Sequence, residues 1–203
     1  MVKIFLKLPL FVVFLTTSSI LKADPYSLAN ISQYLQNLKI LKADFSQTNP
    51  DDTISSGTIL IKRPGRMRFE YNKPDKTLVL VSAGALAIFD PKGDEKPITY
   101  PIKNNPISLI LKGEVDLLNS GIVAKYKVSA EKAVLTIRDP KKPQRGSVEL
   151  VFVGTKPELE KFTIKNENGS STSISLKDIK YPKKLNETLF SIALETSKRR
   201  RKD

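Results

Sequence analysis

The feature that most constrains this chain is a long succession of short β-branched segments separated by hairpin turns. Segments 58–63, 67–71, 77–82, 86–89, 97–102, 123–129, 133–138, 147–153, 162–166 and 172–179 are rich in Val, Ile, Thr, Phe and Tyr. Such segments read as strands when turn residues bound them. Turn signals stand between them at Pro64-Gly65, Asn72-Lys73-Pro74-Asp75, Pro91-Lys92-Gly93-Asp94, 140–146 and Asn168-Gly169. Strands in sequence with short connections predict an antiparallel meander, curled into an open or closed barrel. Two helices break the run. In 26–41, Leu28, Ile31, Leu35 and Leu38 recur at helical spacing, with Asp24 or Ser27 placed to cap. In 106–112, Pro106 opens a short apolar helix that Gly113 ends, carrying Ile107, Leu109, Ile110 and Leu111. The fold class is mainly β with short helices.

The N-terminus has a different character. Lys3 and Lys7 precede an apolar stretch to Leu21 that ends in small residues, the pattern of a secretory signal over 1–23. Cleavage is expected after Ala23, with Ser19 as the alternative. Removal takes away Lys3, Lys7 and Lys22 and no acid, so the formal charge of +13 falls by three. The remaining organisation is one domain over 24–195 and a basic tail, 196–203, expected to be disordered. The exported, strongly basic chain fits a periplasmic location as a monomer.

Composition narrows the chemistry. The chain has no Cys, no His and no Trp. A disulfide scaffold, a thiolate metal site, a Cys nucleophile and the commonest general base are therefore excluded. The carboxylates Asp44, Asp51, Asp52, Asp90, Asp94, Glu95, Glu114 and Asp116 fall mostly in turns, where Asp serves turn geometry. No phosphate-cradling glycine loop or nucleophile elbow is present. The expectation is no enzyme, no cofactor and no metal. Basic charge alone would also suit nucleic acid, but the export signal and the lack of interleaved aromatic and basic residues argue against it.

The hairpin 58–71 defines a face. Ile59, Ile61 and Arg63 share one side of its first strand, and Met67, Phe69 and Tyr71 one side of the second. A two-residue turn would set apolar residues against cations. A three-residue loop, 64–66, pairs Arg63 with Met67, Ile61 with Phe69 and Ile59 with Tyr71, which the apolar pattern favours. Arg63 then sits among apolar side chains. Either its head reaches water at the rim, or its five donors hold backbone carbonyls of a neighbouring helix end. Periodicity alone leaves open whether this face bounds a filled core or a hollow.

The run Lys62-Arg63-Pro64-Gly65-Arg66-Met67-Arg68-Phe69-Glu70-Tyr71 resembles the LolA family of periplasmic lipoprotein carriers. Ala43-Asp44-Phe45-Ser46-Gln47, Gly57, Leu86 to Pro91, Asn105 to Leu111 and Asn168 to Ile174 add to the likeness, which spans 26–192 in order. Met67 stands where the family favours an aromatic, and its flexible thioether suits acyl chains of varied shape. The resemblance implies an unclosed antiparallel barrel with a helical lid over an apolar cavity. It implies a cavity lined by Ile59, Ile61, Met67, Phe69, Tyr71, Leu78, Leu80, Leu86, Ile88 and Phe89, a lid of Ile107, Leu109, Ile110 and Leu111, and Arg63 as the latch. The implied work is to take acylated lipoproteins from an inner-membrane ABC transporter and deliver them to the outer membrane, to a LolB-type acceptor where one exists. The alternative is a basic periplasmic protein that binds another amphiphile, such as lipid, lipopolysaccharide or glycolipid, on the same fold.

Overall fold

The turn residues close hairpins, and the hairpins add up to one sheet. The computed structural model describes residues 25–93 and 96–201, so the expected signal segment 1–23 lies outside the described residues. The strands are β1 Ile40–Thr48, β2 Ile54–Lys62, β3 Arg66–Tyr71, β4 Leu78–Ser82, β5 Ala85–Phe89, β6 Ile98–Pro101, β7 Val123–Val128, β8 Lys132–Ile137, β9 Gly146–Val153, β10 Glu158–Asn166 and β11 Ser171–Lys180. Helix α1 is Leu28–Asn37 and α2 is Ile192–Arg200. All strands join one antiparallel sheet in the order β6-β5-β4-β3-β2-β1-β11-β10-β9-β8-β7. β6 and β7 are its two edges and do not pair, so the barrel is unclosed.

Register sets the two faces. β2 and β3 pair Ile61 with Met67, Ile59 with Phe69 and Gly57 with Tyr71. The loop is therefore Arg63-Pro64-Gly65, one residue earlier than predicted, and the pairing is displaced by two residues from the expected one. An even displacement keeps every side chain on its face. Gly65, at φ 70°, takes the left-handed backbone that closes the loop. Gly57 answers a different need: a Cβ there would lie 2.0 Å from the Glu70 carbonyl oxygen.

The concave face gathers Leu41, Ala43, Phe45, Ile59, Ile61, Met67, Phe69 and Val81 with Leu135, Leu150, Phe162 and Ile174 from the far half of the sheet. Two covers close it. Helix α1, capped by Ser27 Oγ accepting from Asn30 N (3.2 Å), buries Ile31 and Leu35. It is shorter than the predicted 26–41, because Leu38 is already extended and β1 begins at Ile40. The helical phase of Leu38 hid β1, whose own alternation buries Leu41, Ala43 and Phe45 and exposes Lys42 and Asp44. Pairing with β2 on one side and β11 on the other stabilises the strand over the helical alternative.

The second cover is the connection from β6 to β7. The predicted helix 106–112 is a single 3₁₀ turn, Pro106–Leu109, with Asn105 accepting from Ile107 N (3.0 Å). The helix does not continue to Gly113, since the backbone opens after Ile110 and its carbonyls turn toward the β2–β3 loop. Val115, Leu117 and Ile122 continue this cover into the concave cluster.

The basic tail also departs from expectation. It is helical through Arg200 rather than disordered. Ser191 Oγ accepts from Leu194 N, Glu195 pairs with Arg199 one turn on, and Arg199 lies over the Phe89 ring at 4.9 Å. Cations in the last turn also suit the helix dipole. No helix among the described residues is long and apolar enough to cross a membrane.

Candidate functional site

Arg63 organises the concave face. Its side chain is only 6% exposed, yet no carboxylate pairs with it among the described ion pairs. Its guanidinium is instead surrounded by backbone carbonyls. Nη1 donates to Leu35 O and to Leu38 O (3.2 Å), at the C-terminal end of α1. Nε donates to Lys112 O (2.7 Å) and Nη2 to Gly113 O (3.4 Å), at the end of the second cover. One planar fork thus holds both covers. Backbone bonds reinforce it: Arg63 N donates to Lys39 O (2.8 Å) and Gly65 N to Leu111 O (2.8 Å).

This resolves the two readings of Arg63 in favour of carbonyl contacts over a solvated rim position. The geometry follows from the local sequence. The helix end leaves carbonyls of its last turn without intrahelical partners. The cover segment 110–113 likewise has no strand or helix to join. A rigid cation with five donors can satisfy both sets at once. Burial pulls the Arg63 pKa below its ordinary value, but the side chain remains a cation at any physiological pH. The arrangement is strong only while both covers are seated, because each carbonyl belongs to an element that carries no strand pairing of its own.

Beneath the fork the concave surface is continuous and apolar. Ile59, Ile61, Met67 and Phe69 are buried, and Tyr71 and Leu86 are half-buried against the same cluster. Ile88 shares that face, opposite Val79, and is half-buried. Ile107, Leu109, Ile110 and Leu111 lie at 3–6% exposure in the cluster. At the end of the face remote from Arg63, Phe45 meets Phe69 and Tyr71 edge-on, with centroids 5.2 and 5.1 Å apart. Tyr71 OH donates to Gln47 Oε1 (2.7 Å), and burial pushes its pKa up to about 12.

Three of the residues predicted to line the cavity do not face it. Leu78, Leu80 and Phe89 lie on the outer face with Ala87, in a separate cluster that Ile192 of α2 covers. The cause is two-sided burial. Within β4, Leu78, Leu80 and Val81 are buried and Val79 half-buried, so apolarity gives no phase. Register decides instead: Met67 faces Val81 and Phe69 faces Val79, which puts Leu78 and Leu80 on the opposite side. Sequence reasoning also missed Phe45, Leu35, Val115 and Leu117 as concave residues. Alternation in β1 would have found Phe45. Nothing periodic marks the irregular 113–122 segment.

Tyrosines fasten α1 at other points. Tyr26 OH donates to Glu131 O (2.6 Å) in the β7–β8 turn. Tyr34 OH lies 3.1 Å from Tyr181 OH, which donates to Glu158 Oε1 (2.9 Å). Among the described residues no group of three or more acidic side chains is gathered to hold a metal ion.

A family model described as outer membrane lipoprotein carrier protein LolA matches residues 36–193. The chain belongs to the LolA family. The match takes in β1 to β11, the second cover and Arg63. An outer-membrane lipoprotein carrier protein of Coxiella burnetii is 27% identical over 183 residues, with 85% of each chain covered. One from Methylococcus capsulatus is 22% identical over 181 residues, covering 85% of this chain and 86% of its own. Among solved structures, a LolA superfamily protein from Nitrosomonas europaea covers 80% of this chain and 96% of its own, at 12% identity and a TM-score of 0.42.

Proposed function

We propose that this family member carries lipoproteins by binding their acyl chains on the concave face between the two covers and the sheet. The observation that carries the proposal is the buried Arg63 fork, which holds both covers at once through their backbone carbonyls. Transfer of each CH₂ from water is worth about 0.8 kcal/mol, so several acyl chains would bind far too tightly to a preformed open trough for onward release. Covers that must be lifted first lower the net affinity. Each charge-assisted bond of the fork contributes roughly 1.5–3 kcal/mol to that closed form. Arg63 is the latch, Ile59, Ile61, Met67, Phe69, Tyr71, Leu86 and Ile88 form the floor, and Ile107, Leu109, Ile110 and Leu111 form the lid.

In this reading the protein makes and breaks no covalent bond. It works in the periplasm as a monomer, with acylated lipoprotein as cargo. It takes cargo from an inner-membrane lipoprotein-releasing ABC transporter and hands it to a LolB-type acceptor where the cell has one. Purification of the processed chain from its own cells, followed by mass spectrometry of the intact complex, tests the reading. A one-to-one complex with a triacylated lipoprotein is expected. Recovery of free lipid or glycolipid in place of lipoprotein overturns it.

A further inference from the structure

Five exposed lysines belong to the segments where β1 leaves α1 and where β11 ends: Lys39, Lys42, Lys180, Lys183 and Lys184. Lys42 and Lys180 are directly opposite across the β1–β11 ladder. Directly opposed residues of an antiparallel pair have Cα atoms about 4.5–5.5 Å apart, and like charges at that spacing destabilise the sheet. Nearby cations are compensated: Glu187 pairs with both Lys62 and Arg66. None of the five lysines has such a partner among the described ion pairs. Lys39 and Lys183 also face a common depression of about 440 Å³, walled by Ile40, Pro182 and Tyr181. No carboxylate lines it. Glu158 lies beyond Tyr181 and accepts that hydroxyl (2.9 Å). The negative end of the α1 dipole, which would repel an anion here, is neutralised by Arg63 at the carbonyls of Leu35 and Leu38.

We propose that this lysine cluster and its depression bind anionic lipid head groups, so that the protein docks on a membrane surface by the α1–β1 corner. Three features favour a lipid surface over an acidic peptide. The cations are spread over separate segments, and of the five only Lys39 and Lys183 share a depression. All five are lysines, point charges suited to a diffuse field and not to bidentate carboxylate recognition. Tyr181, 49% exposed at the rim, offers the amphipathic ring that sits well at a head-group layer. The depression is also walled by Tyr34, Asn37 and Leu38 at the end of α1, and the proposal does not depend on which cargo the concave face carries.

Vesicles of phosphatidylcholine, with and without phosphatidylglycerol, provide the test by co-sedimentation with the full processed chain. Binding to the anionic vesicles alone is expected, falling steeply with added salt. Removal of each lysine is expected to lower the partition coefficient roughly fivefold, so Lys39→Gln with Lys183→Gln together lose about 25-fold. Lys39→Arg with Lys183→Arg should retain binding, because the positive charge is kept. Equal binding to neutral vesicles overturns the proposal, as does binding that survives loss of the lysines but not truncation after Ser197. A polyglutamate peptide that binds the cluster while anionic vesicles do not would identify an acidic protein partner and likewise overturn it.

Discussion

Strands β3 to β5 are covered on both faces, and the two covers are fastened in opposite ways. On the concave side, α1 and the 102–122 segment rest on an apolar floor and are joined to the sheet by backbone carbonyls around one buried arginine. On the outer side, the 3₁₀ turn Glu187–Phe190 and α2 are fastened by side chains. Phe190 is buried at 1% exposure, Glu187 bridges Lys62 and Arg66, Arg68 Nη1 donates to Leu189 O (2.9 Å), and Arg199 stacks over Phe89. A cover whose stability is spread over packed side chains stays in place. A cover whose polar fastening rests on a few points, with Arg63 joining both covers, is released more readily when those points lose their partners. Under the proposed function, the outer layer is structural and the inner one gates the concave face.

The contrast can be broken at either side. The largest effect belongs to the outer layer: Phe190→Ala leaves a cavity under an element with no other apolar anchor of that size. It should cost about 3–5 kcal/mol in chemical denaturation, with unchanged affinity of the folded protein for a triacylated lipopeptide. Arg63→Leu comes next. Loss of the fork leaves four carbonyls of the two covers without their donor, and a stability loss of about 2–3 kcal/mol is expected. Unlike the outer substitution, it should raise lipopeptide affinity and slow transfer to acceptor vesicles. Stability lost with no change in binding or transfer would reduce Arg63 to a structural residue. Arg199→Ala removes one cation–π contact, the ion pair with Glu195 and one bond to Asp90 O, with an expected cost of about 1 kcal/mol and no effect on transfer.

The smallest effect is that of pH on the outer layer. Lys62 and Arg66 hold the Glu187 carboxyl below its ordinary value. A carboxylate with a depressed folded pKa contributes stability above its unfolded pKa, and that contribution fades as pH falls through the folded value. Glu187→Gln should therefore narrow the difference in denaturation midpoint between neutral and acidic solution, while Arg63, charged throughout, makes the inner cover insensitive over the same range.

Much of this molecule could be read in the residues. Alternation in 58–71 assigned Ile59, Ile61, Met67, Phe69 and Tyr71 to one face, and that survived an error of two residues in register because parity was preserved. The carbonyl contacts of Arg63 are legible as one of two fates for an arginine on an apolar face; only the positions of the α1 and 110–113 carbonyls distinguish them. The failures share a cause. Leu78, Leu80 and Phe89 were placed inside because a strand buried on both sides has no phase to read. Residues 196–200 of the final helix read as part of a disordered tail, since they are held by Arg199 on the Phe89 ring, more than a hundred residues earlier. β1 was partly absorbed into the preceding helix because Leu38 suited both periods.

The central claim is that acyl chains enter only when the two covers separate. The chain has no native cysteine, so spin labels at Gln36→Cys on α1 and Lys112→Cys on the second cover, both exposed sites, report that separation alone. On binding a triacylated lipopeptide, the inter-label distance should lengthen and broaden. Stoichiometric binding with an unchanged, narrow distance would contradict the account.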